Sequence, residues 1–429
     1  MAGPQKDPSG TDSLMSSAQF PVRRTGSPFS GSRGGGGIQT IKEAIIKIVD
    51  KQDLTYEEAY QVMDEMLSGE TSPIQNAAYL SALSAKNTKA GTTDEIAGSA
   101  AAMRDHATPF PAFEGTLDIA GTGGDGSGSF NISTAASIIA AASGAKVAKS
   151  GCRAVSSRCG SADVMEALGT GISQSPEKAA SLLRDLGMCF LCSHDYHPSL
   201  RFVGSIRKHL GIRTVFNVLG PLTNPSGPSY SVLGVYDLPL LEPLARVMSS
   251  LGAERGMTVF GKDRIDEISV SDETYVCEFS AKGTETYMIS PEDFGFRRSP
   301  RPEIVGGTPE ENAGIIIGIL SGKKGARRDI AVMNAAAGIY CAGRAGSLAE
   351  GAEIAENLID GGEAMALLER YRKASVRCLL SPPFPEESER NRMGETVRLS
   401  LLCSLTGNSA AAWMRPAALS GIPLPYERS

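Results

Sequence analysis

The segment Thr116-Leu-Asp-Ile-Ala-Gly121-Thr-Gly-Gly-Asp-Gly126-Ser-Gly-Ser-Phe-Asn131-Ile-Ser-Thr134 limits the fold of this chain more than any other. Thr116 to Ala120 reads as a short strand, five glycines follow within eight residues, and an Ala/Ile-rich helix runs from Ser133 to Ser143. Glycines let backbone N–H groups approach an anion without Cβ obstruction, and a helix N-terminus favours negative charge. The chain holds 48 glycines in 429 residues, and 11 of them fall between Gly115 and Gly171. They follow no fixed period and sit among apolar helical stretches, which excludes collagen and a flexible linker. Backbone wrapped around a ligand is the reading left.

Gly121, Gly123 and Gly126 satisfy G-x-G-x-x-G after a strand. A dinucleotide fold would start its helix inside that motif and place an acidic residue about 20 positions on. Here the helix starts later, and the next strand, Lys146-Val-Ala-Lys149, ends in a lysine suited to phosphate. No Gly-Lys-Ser/Thr is present, so a P-loop is excluded. Ser133 and Thr134 add hydroxyls at the helix start, and Lys149, Arg153, Ser156, Ser157 and Ser161 add cations and hydroxyls downstream. The pattern predicts a polyphosphate site. Asp263-Arg-Ile-Asp266-Glu267-Ile-Ser269 follows a strand ending at Phe260. It suits either a solvated loop or Mg²⁺ held with water and substrate phosphates.

The chain as a whole predicts an α/β fold with a small all-α domain hinged to a larger domain that has a mainly parallel central sheet. From Ile38 to about residue 110 the apolar spacing is helical, with capping boxes at Thr55-Tyr-Glu-Glu58 and Thr92-Thr-Asp-Glu95. Residues 111–194 and 226–375 alternate strands and helices, with further strands at Met257–Phe260 and Tyr275–Phe279. Four helices close this part, with start signals at Thr308-Pro-Glu-Glu311 and Ser347-Leu-Ala-Glu350. Residues 1–37 are rich in Ser, Gly, Pro and Arg and read as a disordered extension; residues 376–429 form a Pro-rich tail with the only tryptophan, Trp413, and one apolar stretch, Val397 to Leu405.

No apolar run approaches the roughly 18 to 20 residues that cross a bilayer, so no membrane association is expected. A net charge of −6 argues against a nucleic-acid partner. Eight dispersed cysteines suit free thiols in a reducing compartment. The expected location is cytoplasmic, or a plastid or other organelle if residues 1–37, with four basic and two acidic side chains, are a transit peptide. Cys189-Phe-Leu-Cys192-Ser-His194-Asp-Tyr-His197 has the residue types of a zinc site. Gly187 to Cys192 reads better as a buried strand, in which residues three apart face opposite sides.

Five motifs taken together resemble anthranilate phosphoribosyltransferase: Gly121-Thr-Gly-Gly-Asp-Gly126, Asn131-Ile-Ser-Thr134, Arg153-Ala-Val-Ser-Ser157, Gly160-Ser-Ala-Asp-Val164 and Arg213-Thr-Val-Phe-Asn-Val-Leu-Gly-Pro-Leu-Thr-Asn-Pro225. The likeness runs in order from about Ile38 to Ser375. It implies helices from about 195–225 that join the N-terminal helical domain, and a homodimer formed through that domain. It also implies Mg²⁺-dependent transfer of phosphoribose from 5-phosphoribosyl 1-pyrophosphate (PRPP) to the amine of anthranilate, in tryptophan synthesis. By position, Gly121, Gly124, Asp125, Ser129, Asn131, Ser133, Thr134, Lys149, Ser157 and Ser161 would contact PRPP. Ser129 stands where the family has threonine. Ser133, Asp266 and Glu267 would hold the metal, and Gly121, Cys152, His197 and Arg207 would face anthranilate.

The likeness breaks at one run. The family has Lys-His-Gly-Asn-Arg where this chain has Lys149-Ser-Gly-Cys-Arg153, so Ser150 and Cys152 replace an imidazole and an amide. A thiol is a poor donor and acceptor beside an amide. Two alternatives therefore stay open: a phosphoribosyltransferase for a different aromatic amine, and, more remotely, a non-catalytic nucleic-acid-binding paralogue. Related pyrimidine nucleoside phosphorylases share the architecture, but their motifs differ from Arg153-Ala-Val-Ser-Ser157.

Overall fold

Capping fixes where the first helices begin. A computed structural model describes residues 40–86, 90–154 and 157–376. The extension 1–37, Ser156, the stretch Val397 to Leu405 and Trp413 lie outside the described residues. Helices α1 (Ile41–Val49), α2 (Tyr56–Ser68), α3 (Pro73–Ser84) and α4 (Thr93–Asp105) come first, and α2, α3 and α4 each start at a reciprocal capping box. In α4 the box residue Glu95 does more than cap. Its carboxylate, fully buried, accepts from Leu54 N (2.9 Å) and Thr92 N (2.7 Å) and pairs with Lys86 at 2.6 Å.

The rest of the chain alternates: β1 (Thr116–Gly121), α5 (Ile132–Ala142), β2 (Lys146–Gly151), α6 (Ser161–Ala167), α7 (Pro176–Leu186) and β3 (Met188–Cys192). Three short helices follow, α8 (Ser193–Tyr196), α9 (Gly204–Leu210) and α10 (Phe216–Leu222), then β4 (Tyr230–Gly234), α11 (Leu241–Ser250) and β5 (Arg255–Gly261). The antiparallel strands β6 (Thr274–Ser280) and β7 (Gly283–Ile289) precede α12 (Pro309–Leu320), α13 (Ala326–Cys341), α14 (Leu348–Asp360) and α15 (Glu363–Ser375). The sheet order is β3-β2-β1-β4-β5-β6-β7, with the first five strands parallel. The expected mainly parallel sheet is therefore present.

Helix α13 packs against α5 and lies close to β1, where a Cβ on Gly338 would meet Ile119 Cδ1 at 2.5 Å. The other main buried cluster gathers residues of α1 to α4, α9, α10 and α11 together with Leu233, Phe260, Cys277 and Phe279 of the sheet. The N-terminal helices thus share their core with one sheet face, where the sequence suggested a separate piece. Two strands carried no signal of their own. Central β4 is only five residues long, and β7 is a largely exposed edge strand, so neither gives the alternating or continuous apolar run that marks a strand. Among the described residues, no helix is long and apolar enough to cross a membrane.

Helices α2 and α4 meet backbone to backbone. A Cβ on Gly98 would lie 2.2 Å from Tyr56 O and 2.9 Å from Tyr60 N, so only glycine fits. Gly98→Ala should cost about 3 kcal/mol in urea unfolding, as overpacking against fixed backbone does. Gly314, in α12, has nothing within 4 Å of a new Cβ, so Gly314→Ala should be neutral or stabilise by up to ~1 kcal/mol through helix propensity.

Candidate active site

Strands β1, β2, β4 and β5 all end in glycine, at Gly121, Gly151, Gly234 and Gly261. Loops cross these strand ends at contact distance. A Cβ on Gly151 would meet Ser161 Oγ at 2.0 Å, one on Gly234 would meet Asp266 O at 1.6 Å, and one on Gly121 would meet Asp266 Oδ2 at 2.4 Å. The carboxyl edge of a parallel sheet is where open α/β folds bind ligands, and here the loops are drawn onto it.

The glycine loop after β1 holds its shape through four left-handed residues, Gly123, Gly124, Gly126 and Gly128, with φ of 69°, 75°, 71° and 66°. Successive N–H groups in such a loop form an anion-facing concavity. One end is tied down where Gly123 N donates to Asp266 Oδ2 at 2.7 Å. The other end pairs with the segment before α12: Gly306 N donates to Gly128 O at 2.9 Å, and Phe130 N to Ile304 O at 3.1 Å. Asn131, at the N-cap of α5, donates to Cys159 O (3.2 Å) and accepts from Asn312 Nδ2 (2.9 Å). It thereby joins the glycine loop to the loop that carries Ser157 and Ser161.

Three carboxylates gather on this loop. Asp266 N donates to Asp125 Oδ2 at 3.4 Å, and Glu267 lies near the Ser133 backbone N–H at the start of α5. Asp266 and Glu267 are both buried. Burial raises the pKa of each, and the neighbouring carboxylates add to the rise, Asp125 at Asp266 and Asp266 at Glu267. Lys149 is the buried counter-charge. Its ammonium donates to Ile119 O at 2.8 Å and Ser133 Oγ at 3.3 Å, and pulls Glu267 back down. Burial lowers the Lys149 pKa, while Asp118 and Glu267 oppose that shift. Asp118 is itself pushed up to about 6 by burial, against Lys149 and Asn224, whose amide donates to it at 2.7 Å.

The strands' neighbouring loops form a second, less acidic region. Cys152 is exposed just past β2 and interacts electrostatically with the half-buried Arg207 of α9. The Arg207 guanidinium stands 5.1 Å from the Phe216 ring centroid. His197 is buried, with the Thr223 backbone beside its ring. Burial pushes its pKa down to about 4, so the ring is uncharged at neutral pH. Cys189 and Cys192 are buried within β3. Among the described residues, no three His, Cys, Asp or Glu side chains are arranged to hold a metal on their own.

Other expected residues fall as follows. Ser129 N donates to Ser127 Oγ at 3.2 Å, beside the bridge from Ser129 to Val305. Thr134 is fully enclosed, and its hydroxyl has no hydrogen-bond partner among the described residues. Ser157 is exposed, its hydroxyl 3.3 Å from Cys159 O, and Ser161 opens α6. Arg153 turns away from the glycine loop to pair with Asp163 (3.0 Å) and Glu166 (2.8 Å). The sequence assigns no site role to Asp118, Arg213 or Asn312, Arg213 entering only as the first residue of a motif. Asp118 reads as an ordinary strand position, and the other two gain meaning only from partners 89 and 181 residues away.

Known proteins place this geometry. A family profile described as the glycosyl transferase family helical bundle domain matches residues 42–107, and the a/b domain of the same family matches residues 114–365. The anthranilate phosphoribosyltransferase of Methanobrevibacter smithii is 49% identical over 331 residues, covering 77% of this chain and 98% of the relative. The crystal structure of the Thermus thermophilus enzyme of that name is 44% identical with a TM-score of 0.72, covering 77% of this chain and 98% of its own. The Saccharomyces cerevisiae enzyme, solved in complex with PRPP and Mg, is 29% identical with a TM-score of 0.71, covering 78% of this chain and 97% of its own. With both domains matched and nearly the full length of each relative covered, the chain belongs to the anthranilate phosphoribosyltransferase family.

Proposed function

We propose that this chain transfers the 5-phosphoribosyl group of PRPP to the amine of anthranilate, releasing pyrophosphate, as a step of tryptophan synthesis. The observation that carries the reading is the bond from Gly123 N to Asp266 Oδ2. It joins a phosphate-facing glycine loop and a carboxylate pair into one site. In this reading Gly121, Gly124, Asp125, Ser129, Asn131, Ser133, Thr134, Lys149, Ser157 and Ser161 surround PRPP. Gly121, Cys152, His197 and Arg207 border the acceptor.

Asp266, Glu267 and the Ser133 hydroxyl are hard oxygen donors that fit Mg²⁺. The crowding of the buried Asp266 and Glu267 carboxylates with Asp125 beside them calls for a cation. With so few side-chain ligands, the ion would take its remaining positions from water and phosphate oxygens. When bound, Mg²⁺ neutralises charge on the departing pyrophosphate. The protein's own part is to donate loop N–H groups to that leaving group and to hold the amine beside the ribose. The ribose C1–O bond breaks with its electron pair on pyrophosphate. The amine lone pair forms the C1–N bond, and the nitrogen then loses a proton to solvent. Arg207 suits the acceptor's carboxylate, and the uncharged His197 ring adds no competing positive charge.

A second reading, transfer to a different aromatic amine, is favoured by the exposed Cys152 thiol beside Arg207. We further infer that the chain pairs with a second copy through its helices. Ile74 is 82% exposed and borders a groove of about 440 Å³ between α3 and α9, lined also by Pro73, Ala77, Ile206 and Leu210. Ile46 and Val49 of α1 are exposed too. An apolar face of this kind suits a protein interface.

Mixing the protein with PRPP, Mg²⁺ and anthranilate should consume the acceptor's fluorescence, and chelating the metal should stop the loss. No loss at millimolar anthranilate would contradict the proposal. Arg207→Ala should raise the KM for anthranilate by about 10- to 100-fold, the worth of a charge-assisted bond, and leave the KM for PRPP nearly unchanged. Cys152→Asn should raise anthranilate turnover; under the second reading another amine is consumed faster and Cys152→Asn does not help. In sedimentation, Ile74→Glu should shift a dimer to a monomer, and a wild-type monomer would contradict the pairing.

A further inference from the structure

We propose that Arg213 is a positioning residue that latches the glycine loop to the segment carrying Arg207. One stretch of chain then sets both the phosphate-facing amides and the acceptor-side cation. Its consequence for substrate binding rests on the function proposed above; the latch itself does not.

Arg213 lies between α9 and α10, and it is held at both ends. Its carbonyl accepts from the hydroxyl of Ser84, the last residue of α3. Its side chain reaches across to the glycine loop, where Nη2 donates to Gly124 O at 2.6 Å. The guanidinium also stacks 4.4 Å from the ring centroid of Tyr236, a buried residue just past β4. A stacked guanidinium is pre-organised, so it loses little further freedom in making its hydrogen bond. Six residues earlier in the same stretch stands Arg207, stacked on Phe216, the first residue of α10. Asn217 Oδ1 accepts from Thr214 N at 2.9 Å and fixes the turn that leads from Arg213 into α10.

The chemistry of the accepting peptide makes this contact more than a brace. Gly123 and Gly124 are both left-handed, and the carbonyl of Gly124 belongs to the same peptide unit as the N–H of Asp125. A cationic donor on that carbonyl polarises the peptide and makes its N–H a stronger donor toward an anion. Lys149 and Arg153, two other cations of this region, are engaged elsewhere. Lys149 lies beneath the loop on Ile119 O and Ser133, and Arg153 pairs with Asp163 and Glu166. Without Arg213, the first half of the loop keeps the bonds from Thr122 N to Gly234 O, from Gly123 N to Asp266 Oδ2 and from Asp266 N to Asp125 Oδ2, with no bond on the Gly124 carbonyl.

Full-length Arg213→Ala and Arg213→Lys separate this role from simple stability. Hydrogen–deuterium exchange without substrate should be at least about fivefold faster at residues 122–128 in Arg213→Ala, intermediate in Arg213→Lys, and unchanged in α13. In turnover, Arg213→Ala should raise the KM for PRPP about tenfold with kcat at saturation within about threefold, and Arg213→Lys should recover part of that loss. Unchanged loop exchange would overturn the latch. So would a uniform rise in exchange across α13 and β1 with loss of kcat and no rescue by lysine. If Arg213→Ala does not fold, Tyr236→Leu removes the stacking support and is read by the same exchange experiment. A wild type that consumes no anthranilate would defeat the proposed function, while the exchange result would still decide the latch.

Discussion

The site depends on the close approach of one aspartate to two strand ends. The Asp266 carbonyl rests on the Cα of Gly234, and its carboxylate rests on the Cα of Gly121. A side chain at either position would push the Asp263–Ser269 loop off the sheet. Because both are glycine, Asp266 reaches Gly123 N at 2.7 Å and holds the glycine loop over the sheet edge. Glu267 then follows next to the start of α5, beside Lys149. Metal-type oxygens and anion-type amides come together through packing before any ligand is present.

This proximity has an electrostatic cost that the protein only partly offsets. Asp125, Asp266 and Glu267 crowd one volume, and burial raises the pKa values of Asp266 and Glu267. Lys149, with Asp118 behind it, supplies one compensating charge from below. A divalent cation would offset the remaining carboxylate charge. The region proposed to face the acceptor is built differently. It has one half-buried cation, Arg207, an uncharged buried His197 and a thiol at Cys152. That makes it the less polar half, as the replacement of an imidazole and an amide by Ser150 and Cys152 suggests.

Much of this was legible in the sequence because it is local. The strand, glycine loop and helix from Thr116 to Ala142, the capping boxes at Thr55 and Thr92, and the final helices stand where their short-range signals place them. Legibility stopped where meaning depends on distant partners. Gly234 looked like an unremarkable strand residue, and its necessity comes from Asp266, 32 positions on. Arg153 looked like a phosphate cation, but Asp163 caps the same turn, accepting from Ala154 N and Gly160 N, and takes Arg153 with it. Lys149 reads as a phosphate cation from the sequence, but its part as the buried counter-charge to Glu267 depends on partners far along the chain. Central β4 was missed because five residues buried between two other strands need no pattern of their own.

Calorimetric titration of Mg²⁺ and PRPP into wild type and Gly121→Ala tests the central claim most directly. An alanine methyl at residue 121 would displace the Asp266 carboxylate without removing any charged group. The account predicts metal-dependent binding to the wild type and at least about tenfold weaker binding to a folded Gly121→Ala variant, a loss of roughly 1.4 kcal/mol. Equal affinity of the two proteins for PRPP would contradict it.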